Sequence, residues 1–281
     1  MIDWWKRTRP KLRKVLNALL SLRGLTVAGR HFSLPLGTVP SMNEPWMGDV
    51  IARALPHFPG DFVDIGVNLG QTLLRYRALE SEHRYIGFEP NPNCVAFVAE
   101  LIAINRIGNT TIIPAACALD YGIEKLQFYQ DSIFDSSASL VSEFRPNQET
   151  FATHLVIAVP GAASLDAAVA GRVGIIKIDV EGFEATVMEG LEDRIAADRP
   201  CLLVEILPIY TSENRNRLES TARIETLALR QGYSIARIQK TRTGRLDRLE
   251  LIQKIEIHQD LNLVDYILCP NERLSCLLSA P

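Results

Sequence analysis

Four apolar segments of the chain carry a carboxylate at or beside their end. These carboxylates are Asp64, Glu89, Asp179 and Glu205, and Glu181 follows two residues after Asp179. Burying a carboxylate is costly unless the group is paired or binds something. In open α/β sheets, ligands bind at the carboxyl ends of the parallel strands. The pattern therefore predicts one acidic ligand site at a single edge of a parallel sheet.

A glycine turn follows the first of these segments, in the sequence Asp64-Ile-Gly-Val-Asn-Leu-Gly70. Gly66 and Gly70 allow a tight turn and let a ligand approach the backbone closely. A helix predicted from Gln71 would point its free N–H groups at that ligand. Asn68 would add an amide contact, so the whole turn is predicted to bind a ligand.

The turn and Glu89 together favour one class of cofactor. The dinucleotide fingerprint is GxGxxG and the phosphate-binding P-loop is GxxxxGKS or GxxxxGKT, whereas this turn is GxxxG. Asp64 would repel a pyrophosphate but would suit a positively charged ligand. S-adenosylmethionine has an ammonium, a sulfonium and no phosphate. We therefore expect Asp64 and the backbone from Gly66 to Gly70 to hold its methionine part, and Glu89 to accept hydrogen bonds from its ribose hydroxyls.

The acidic positions after the later strands are candidates for the chemistry. An alcohol becomes a good nucleophile only when a base removes its proton, and Asp179, Glu181 and Glu205 could do this. Asp179 is also expected to contact the cofactor. Three carboxylates could hold Mg²⁺ or another divalent cation, but no spacing here is diagnostic, so metal dependence stays open.

A serine-rich segment and a nearby histidine form a second group of candidates. His154 could act as a base, although a lone histidine is more often structural. The segment Asp131–Ser142 could close over a substrate, or it could be an ordinary solvated loop.

The elements that must position these residues alternate between strand-like and helix-like stretches. Such alternation predicts a parallel sheet with helices on both faces. Leu126–Gln130 and Leu155–Val159 are predicted as additional strands, and the basic stretch Arg237–Arg248 as a solvated loop or a hairpin. The main predicted strands are Asp61–Ile65, Arg84–Phe88, Thr110–Ile113, Gly174–Ile178, Cys201–Ile206, Tyr233–Ile238 and Leu263–Leu268. The predicted helices are Gln71–Glu80, Pro92–Asn105, Glu184–Ala197 and Glu213–Gln231.

Taken together, the motifs resemble those of the FkbM-type methyltransferases. The resemblance runs from about Phe62 to Glu205, and its most specific part is the stretch from Lys177 to Glu184. It implies the class I, Rossmann-like α/β sandwich, with a mostly parallel seven-stranded sheet and helices on both faces. It also implies S-adenosylmethionine-dependent O-methylation of a hydroxyl on a saccharide or related small metabolite. In similar enzymes the region of Ala116 walls the adenine. Further motifs that carry the resemblance are Phe88-Glu89-Pro90, Ala116–Gly122, Ser164-Leu165-Asp166 and Arg199-Pro200.

The N-terminal residues differ from the rest of the chain. Residues 1–30 contain eight Lys and Arg against one Asp, and their apolar residues recur at close to helical spacing. Such a helix could lie on an anionic membrane surface, or it could pack on its own domain or on a second copy. We therefore predict a basic amphipathic extension over residues 1–58 and a methyltransferase domain over residues 59–281.

Composition limits the classes of function. The chain has 281 residues and a formal net charge of −3, which argues against a dedicated nucleic-acid binder. Five cysteines without a CxxC predict neither a disulfide framework nor a cysteine zinc site, and a reducing cytoplasm is the simplest location. Homo-oligomerisation and peripheral membrane contact stay open. An NAD(P)-dependent oxidoreductase is disfavoured by the missing GxGxxG, and a non-catalytic binding module by the five acidic positions.

Overall fold

The computed structural model describes residues 24–35, 38–80, 82–130, 132–141 and 148–279. The strands are β1 Gly24–Val27, β2 Arg30–Ser33, β3 Asp61–Ile65, β4 Tyr85–Phe88, β5 Thr110–Ile113, β6 Ala116–Ala118, β7 Gly122–Phe128, β8 Ala152–Pro160, β9 Val173–Ile178, β10 Cys201–Glu205, β11 Tyr233–Lys240, β12 Leu246–Ile252 and β13 Asp265–Pro270. The α-helices are α1 Pro45–Ala54, α2 Gln71–Leu79, α3 Pro92–Asn105, α4 Gly161–Ala168, α5 Glu184–Gly190, α6 Glu192–Asp198, α7 Arg215–Arg230 and α8 Leu274–Leu278.

The main sheet has the strand order β12-β11-β13-β10-β9-β3-β4-β5. Strands β10, β9, β3, β4 and β5 pair in parallel, and β13 lies antiparallel between β10 and β11. Every residue of β3, β4 and β9 is buried. This is what apolar runs produce when both faces of a parallel sheet are covered.

Helices cover both faces of this sheet. On one face, α1, α2 and α3 bury apolar residues such as Ile51, Leu73 and Phe97 in one core cluster. On the other face, the helices from α4 to α7 bury residues such as Met188 and Ile224 in a second cluster. The predicted α/β sandwich of the Rossmann-like class is confirmed.

The sheet differs from the sequence prediction at one edge. It has eight strands rather than seven, because β12 forms a hairpin with β11 and extends the sheet. The hairpin turn is made possible by Gly244, whose φ is +73°. The sequence left this stretch open between a solvated loop and a hairpin, and the structure shows the hairpin.

Most other predicted elements lie within a few residues of their observed bounds. The predicted helix Glu184–Ala197 is instead two helices, α5 and α6, which meet at Leu191. Strands β7 and β8 occupy the two regions predicted as additional strands. They form a separate sheet of order β6-β8-β7.

The N-terminal part of the described chain packs on the main sheet. Strands β1 and β2 form an antiparallel hairpin where the amphipathic helix was predicted to end. The remainder of that predicted helix, residues 1–23, lies outside the described residues. Phe32, Trp46 and Phe58 are buried in the same cluster as Leu73 of α2. The division of the chain after residue 58 stays a prediction.

Two further findings concern the whole described chain. All five cysteines are free, and four of them are buried. None of the described helices combines the length and the apolar character needed to cross a bilayer.

Candidate functional site

A cavity of about 330 Å³ lies at the carboxyl ends of the central strands. Its volume is within the usual range for small-molecule sites, roughly 300–1,000 Å³. The structure thus brings most of the predicted site residues together at one edge of the sheet. Those that line the cavity are Gly66, Asn68, Glu89, Ala116, Asp179, Glu181 and Glu205.

The glycine turn forms the floor of this cavity. Gly66 has a φ of +91°, and a Cβ placed there would lie 1.9 Å from the Asp179 carbonyl oxygen. Only glycine therefore lets the end of β3 approach the end of β9 so closely. Asn68 also has a positive φ, of +50°. Its backbone N–H donates to Glu89 Oε2 at 2.7 Å, so the turn holds the carboxylate of the next strand.

Gly70 was predicted to let a ligand approach the backbone, but its position indicates a role in helix packing. It has a φ of +81°, stands at the N-terminal end of α2, and does not line the cavity. A Cβ at this position would lie 3.0 Å from the Leu101 side chain of α3. Gly70 therefore allows α2 and α3 to pack closely, which positions the turn without contacting a ligand.

Glu89 lines the cavity and is a buried carboxylate, with 6% of its surface exposed. Its Oε1 accepts the Asn91 backbone N–H at 2.8 Å, and its Oε2 accepts that of Asn68. Burial raises the pKa of Glu89 to about 7, although these two hydrogen bonds oppose the shift. Each carboxylate oxygen has a second lone pair, so Glu89 can still accept two hydroxyl groups from a ligand.

Asp64 lies beneath the turn rather than in the cavity, which corrects its predicted role as a cofactor contact. It is completely buried. The Tyr85 hydroxyl donates to its Oδ2, and its Oδ1 lies 3.3 Å from Lys177 Nζ. Burial raises the pKa of Asp64, while Lys177 and Tyr85 act to lower it. A carboxylate used in this way supports the site and has no exposed surface for a ligand.

Lys177 is the residue that connects these parts, and the sequence analysis did not identify it. Its Nζ donates to the Gly66 carbonyl oxygen at 2.9 Å and lies 3.2 Å from Asp179 Oδ2. The neighbouring carboxylates of Asp179 and Asp64 raise its pKa against the effect of burial. A signal was present in the sequence, because a lysine inside an apolar strand must be paired if it is buried.

The carboxyl groups after β9 and β10 form an acidic end of the cavity. Asp179 exposes 36% of its side chain, and Glu205 forms a side-chain hydrogen bond with it. Burial and the neighbouring carboxyls of Asp179, Asp265 and Glu181 raise the pKa of Glu205 well above its ordinary value. Glu205 and Asp179 therefore lie side by side at this end of the cavity, and both line it.

The serine-rich segment covers one side of the cavity. Of residues 131–142, the structure describes 132–141, and Asp135, Ser136, Ala138 and Leu140 line the cavity. Asp135 accepts the backbone N–H groups of residues 129, 130 and 137, at 2.7–2.9 Å. The Ser139 hydroxyl donates to the Glu181 carbonyl oxygen at 2.6 Å. The described part of the segment is therefore a hydrogen-bonded wall of the site, and closure over a substrate stays a prediction.

His154 is not at the cavity. It is exposed on β8, and its ring lies 4.7 Å from the ring of Phe128. Because His154 faces solvent at the side of the small sheet, its position does not support the predicted role as a base.

Among the described residues, no group of three or more His, Cys, Asp or Glu side chains is arranged to hold a metal ion. Asp64 and Asp179 are instead engaged by Lys177, and Glu205 by Asp179. Dependence on a divalent cation stays a prediction.

The N-terminal region supplies a further part of the wall that the sequence did not reveal. Ser41, Asn43 and Glu44, which precede α1, line the cavity. No local motif marks them, because only the packing of α1 brings them to the sheet edge.

The strand order and the cavity at the strand ends define a Rossmann-like α/β protein of the class I methyltransferase type. Residues 64–235 match the model of the methyltransferase FkbM domain. The chain therefore belongs to the FkbM methyltransferase family, which is S-adenosylmethionine-dependent. No curated protein gives a significant sequence match.

Solved structures with a similar chain trace include the methyltransferase FkbM from Methylobacillus flagellatus KT, at 14% identity and a TM-score of 0.44. That match covers 74% of this chain and 43% of that one, so the chain spans less than half of that protein. An O-methyltransferase from Bacillus cereus in complex with SAH is 11% identical, with coverage of 84% and 83% and a TM-score of 0.45. Precorrin-6y C5,15-methyltransferase from Geobacter metallireducens GS-15 is 11% identical, with coverage of 85% and 94% and a TM-score of 0.43.

Proposed function

We propose that the protein transfers a methyl group from S-adenosylmethionine to a hydroxyl of a saccharide or related small metabolite. The observation that carries this proposal is Glu89, a buried carboxylate held by two backbone amides with its remaining lone pairs available to the cavity. The family match supports methyl transfer. The resemblance described above suggests the hydroxyl acceptor.

The residues that line the cavity fit an adenosine with a positively charged side arm. Glu89 suits the two ribose hydroxyls, and the apolar wall of Ala116, Cys117 and Leu126 suits a flat base. The turn at Gly66 leaves backbone close to the ligand, beside the acidic end of the cavity. Because Asp179 is assigned below to the acceptor hydroxyl, its predicted contact with the cofactor stays a prediction.

The protein's own task in the reaction is to position two molecules and remove one proton. The bound cofactor would supply an activated methyl group. Asp179 faces the cavity and would accept the proton of the acceptor hydroxyl. Lys177 Nζ lies 3.2 Å from Asp179 Oδ2, and Glu205 hydrogen-bonds to Asp179 from the neighbouring strand. Glu181, on the turn after Asp179, remains a second candidate for the base.

The experiment is a transfer assay with S-adenosylmethionine labelled at the methyl group and a panel of glycosides. We expect label in the acceptor, in an ether linkage that resists mild base. Asp179→Asn should lower kcat by about 10²–10⁴-fold, the usual contribution of a general base. Asp247→Asn, on the exposed hairpin strand β12, is the matched control and should leave kcat unchanged.

Two results would argue against this function. A folded protein that binds NAD(P)H but not S-adenosylmethionine would favour an oxidoreductase. Normal biological function of the Asp179→Asn variant, with no transfer by the wild type, would favour a non-catalytic binding module. Running the assay with and without EDTA decides whether a divalent cation takes part.

A further inference from the structure

The cavity is built from two parts of the chain. Nearly all of its lining residues lie within residues 64–235, which match the family domain. Ser41, Asn43 and Glu44 are the described lining residues that lie outside that range. All three are exposed. We call residues 41–44 the entrance segment.

Helix α1, which follows the entrance segment directly, is held by the hairpin of β11 and β12. The Trp46 backbone N–H donates to the Gly244 carbonyl oxygen at 3.0 Å. Asp49 of α1 accepts the Leu246 backbone N–H at 3.1 Å and lies 2.6 Å from Arg245 Nη2. Strand β12 also lies outside the matched domain. The strand that enlarges the sheet therefore anchors the helix that follows the entrance segment.

The entrance segment adds a carboxylate to the acidic end of the cavity. Glu44 and Asp179 are both electrostatic neighbours of Asp265, which an ion pair links to Lys240. The electrostatic neighbours of Glu205 are Asp179, Asp265 and Glu181, all of them acidic.

Among the described residues, a single basic side chain lines the cavity, and it is already paired. Among the cavity-lining residues that the structure describes, Lys177 is the basic one, and Asp64, Asp179 and the Gly66 carbonyl surround its ammonium. Arg75 is an electrostatic neighbour of Glu44, but it is buried in α2 and does not line the cavity. Among the described residues that line the cavity, an anionic group entering this end would therefore meet carboxylates and no unpaired cation.

The acidic end lies away from the position proposed for the ribose. Glu89 follows β4, and Glu205 ends β10, three strands further along the sheet. At a spacing of about 4.8 Å between strands, the two positions are roughly 14 Å apart. The cofactor would occupy the part over β4, β3 and β9, which leaves the part beside β10 and the entrance segment for the acceptor.

We propose that the entrance segment and the carboxylates beside β10 select a hydroxylated acceptor that carries a positive charge, and that Glu44 is a determinant of this selection. The inference rests on the proposed function. It assigns the acceptor side of the site to residues outside the family domain and excludes phosphorylated and carboxylated acceptors.

The test uses three probes that differ at one carbon: methyl glucoside, its 6-amino-6-deoxy analogue and its 6-phosphate. Their binding to the full-length protein, saturated with S-adenosylhomocysteine, is measured by ligand-observed NMR. We expect the amine to bind at least tenfold more tightly than the phosphate, with the neutral glycoside between them. Glu44→Gln should reduce this preference severalfold. Glu256→Gln, which removes the same charge from an exposed position outside the cavity, should leave it unchanged.

The outcomes separate this inference from the proposed function. Calorimetry first measures S-adenosylhomocysteine binding to the wild type, and its absence overturns both. Normal cofactor binding with no preference for the amine, including binding of none of the probes, overturns the acceptor inference alone. Equal losses of preference in Glu44→Gln and Glu256→Gln would assign the effect to the overall charge of the protein and reject the role of Glu44.

Discussion

At the scale of single residues, burial controls the charge of the site. Glu89, Glu184 and Asp265 are buried carboxyls, and burial raises the pKa of each to about 7. Asp265 is held by Lys240, whereas Glu89 and Glu184 are held by backbone amides. Glu184, at the start of α5, accepts the Gly182 N–H at 2.8 Å and so fixes the turn that carries Glu181. The site therefore titrates near physiological pH.

This titration predicts how cofactor affinity depends on pH. Ribose hydroxyls donate to the ionised form of Glu89, so binding lowers its pKa from about 7. Affinity for S-adenosylmethionine should therefore rise as the pH increases towards 7 and level off above it. Calorimetric titrations at several pH values measure this, and Glu89→Gln should remove the part of the dependence that is due to this group. Affinity that falls with rising pH over the same range would contradict the placement of the ribose.

The buried lysine predicts a large effect on stability. Lys177→Met leaves Asp64 buried without its cation, and breaking a buried pair in this way costs about 3–5 kcal/mol. Chemical denaturation should show a loss of this size in the free energy of unfolding. The double variant Asp64→Asn with Lys177→Met removes both charges and should recover a large part of it. A single variant within about 1 kcal/mol of the wild type would show that the pair contributes little.

Single residues also show where sequence reasoning succeeds. The acidic positions were predictable because carboxylates at strand ends share one edge of a parallel sheet. The supporting role of Asp64 was not, because it depends on register: Asp64 lies directly opposite Lys177 on neighbouring strands. Two residues so distant in sequence become partners only when β3 and β9 pair.

At the scale of elements, the close approach of β3 and β9 shapes the cavity. Both strands end in turns with positive φ, at Gly66 and Glu181. Lys177 then ties the two turns together through the Gly66 carbonyl oxygen. The position of the ligand therefore depends on the close approach of these two strand ends as much as on any side chain.

The close approach of β3 and β9 predicts that alanine substitution at two glycines has different effects on stability. Gly66→Ala would bring a Cβ against the Asp179 carbonyl and strain a φ of +91°, so it should lower the free energy of unfolding by about 1–3 kcal/mol or more. Gly108→Ala is the matched control, because a Cβ there meets nothing within 4 Å and its φ is not positive. Thermal denaturation of both variants measures the difference. Equal stability of the two would contradict the account of the turn.

Elements whose apolar runs are bounded by glycine or proline were predicted closely. Strand β3 matches its predicted bounds, and so does α3, which begins at Pro92 and ends at Asn105. Strand β12 was harder to predict from the sequence. Charged residues interrupt the apolar residues of Leu246–Ile252, and the strand lies at the exposed edge of the sheet. The break between α5 and α6 directly follows Gly190, a helix-end signal that the prediction of one continuous helix did not use.

At the scale of the whole molecule, the matched domain and the segments outside it supply different parts of the cavity wall. The domain over residues 64–235 supplies the glycine turn, Glu89 and the acidic strand ends. Residues before and after it supply the entrance segment, α1 and the hairpin that holds this helix. The sequence could not predict this division, because it arises from packing between distant parts of the chain. Membrane contact through residues 1–30, a cytoplasmic location and homo-oligomerisation stay predictions.

The most direct test of the account is a calorimetric titration of S-adenosylmethionine into the purified full-length protein, with EDTA present. We expect micromolar binding by the wild type and by the control Glu256→Ala. Glu89→Ala should bind about 1–3 kcal/mol more weakly, because hydrogen bonds to the ribose are lost. A wild type that is folded and does not bind, or a Glu89→Ala variant that binds as tightly as the wild type, would contradict the site described here.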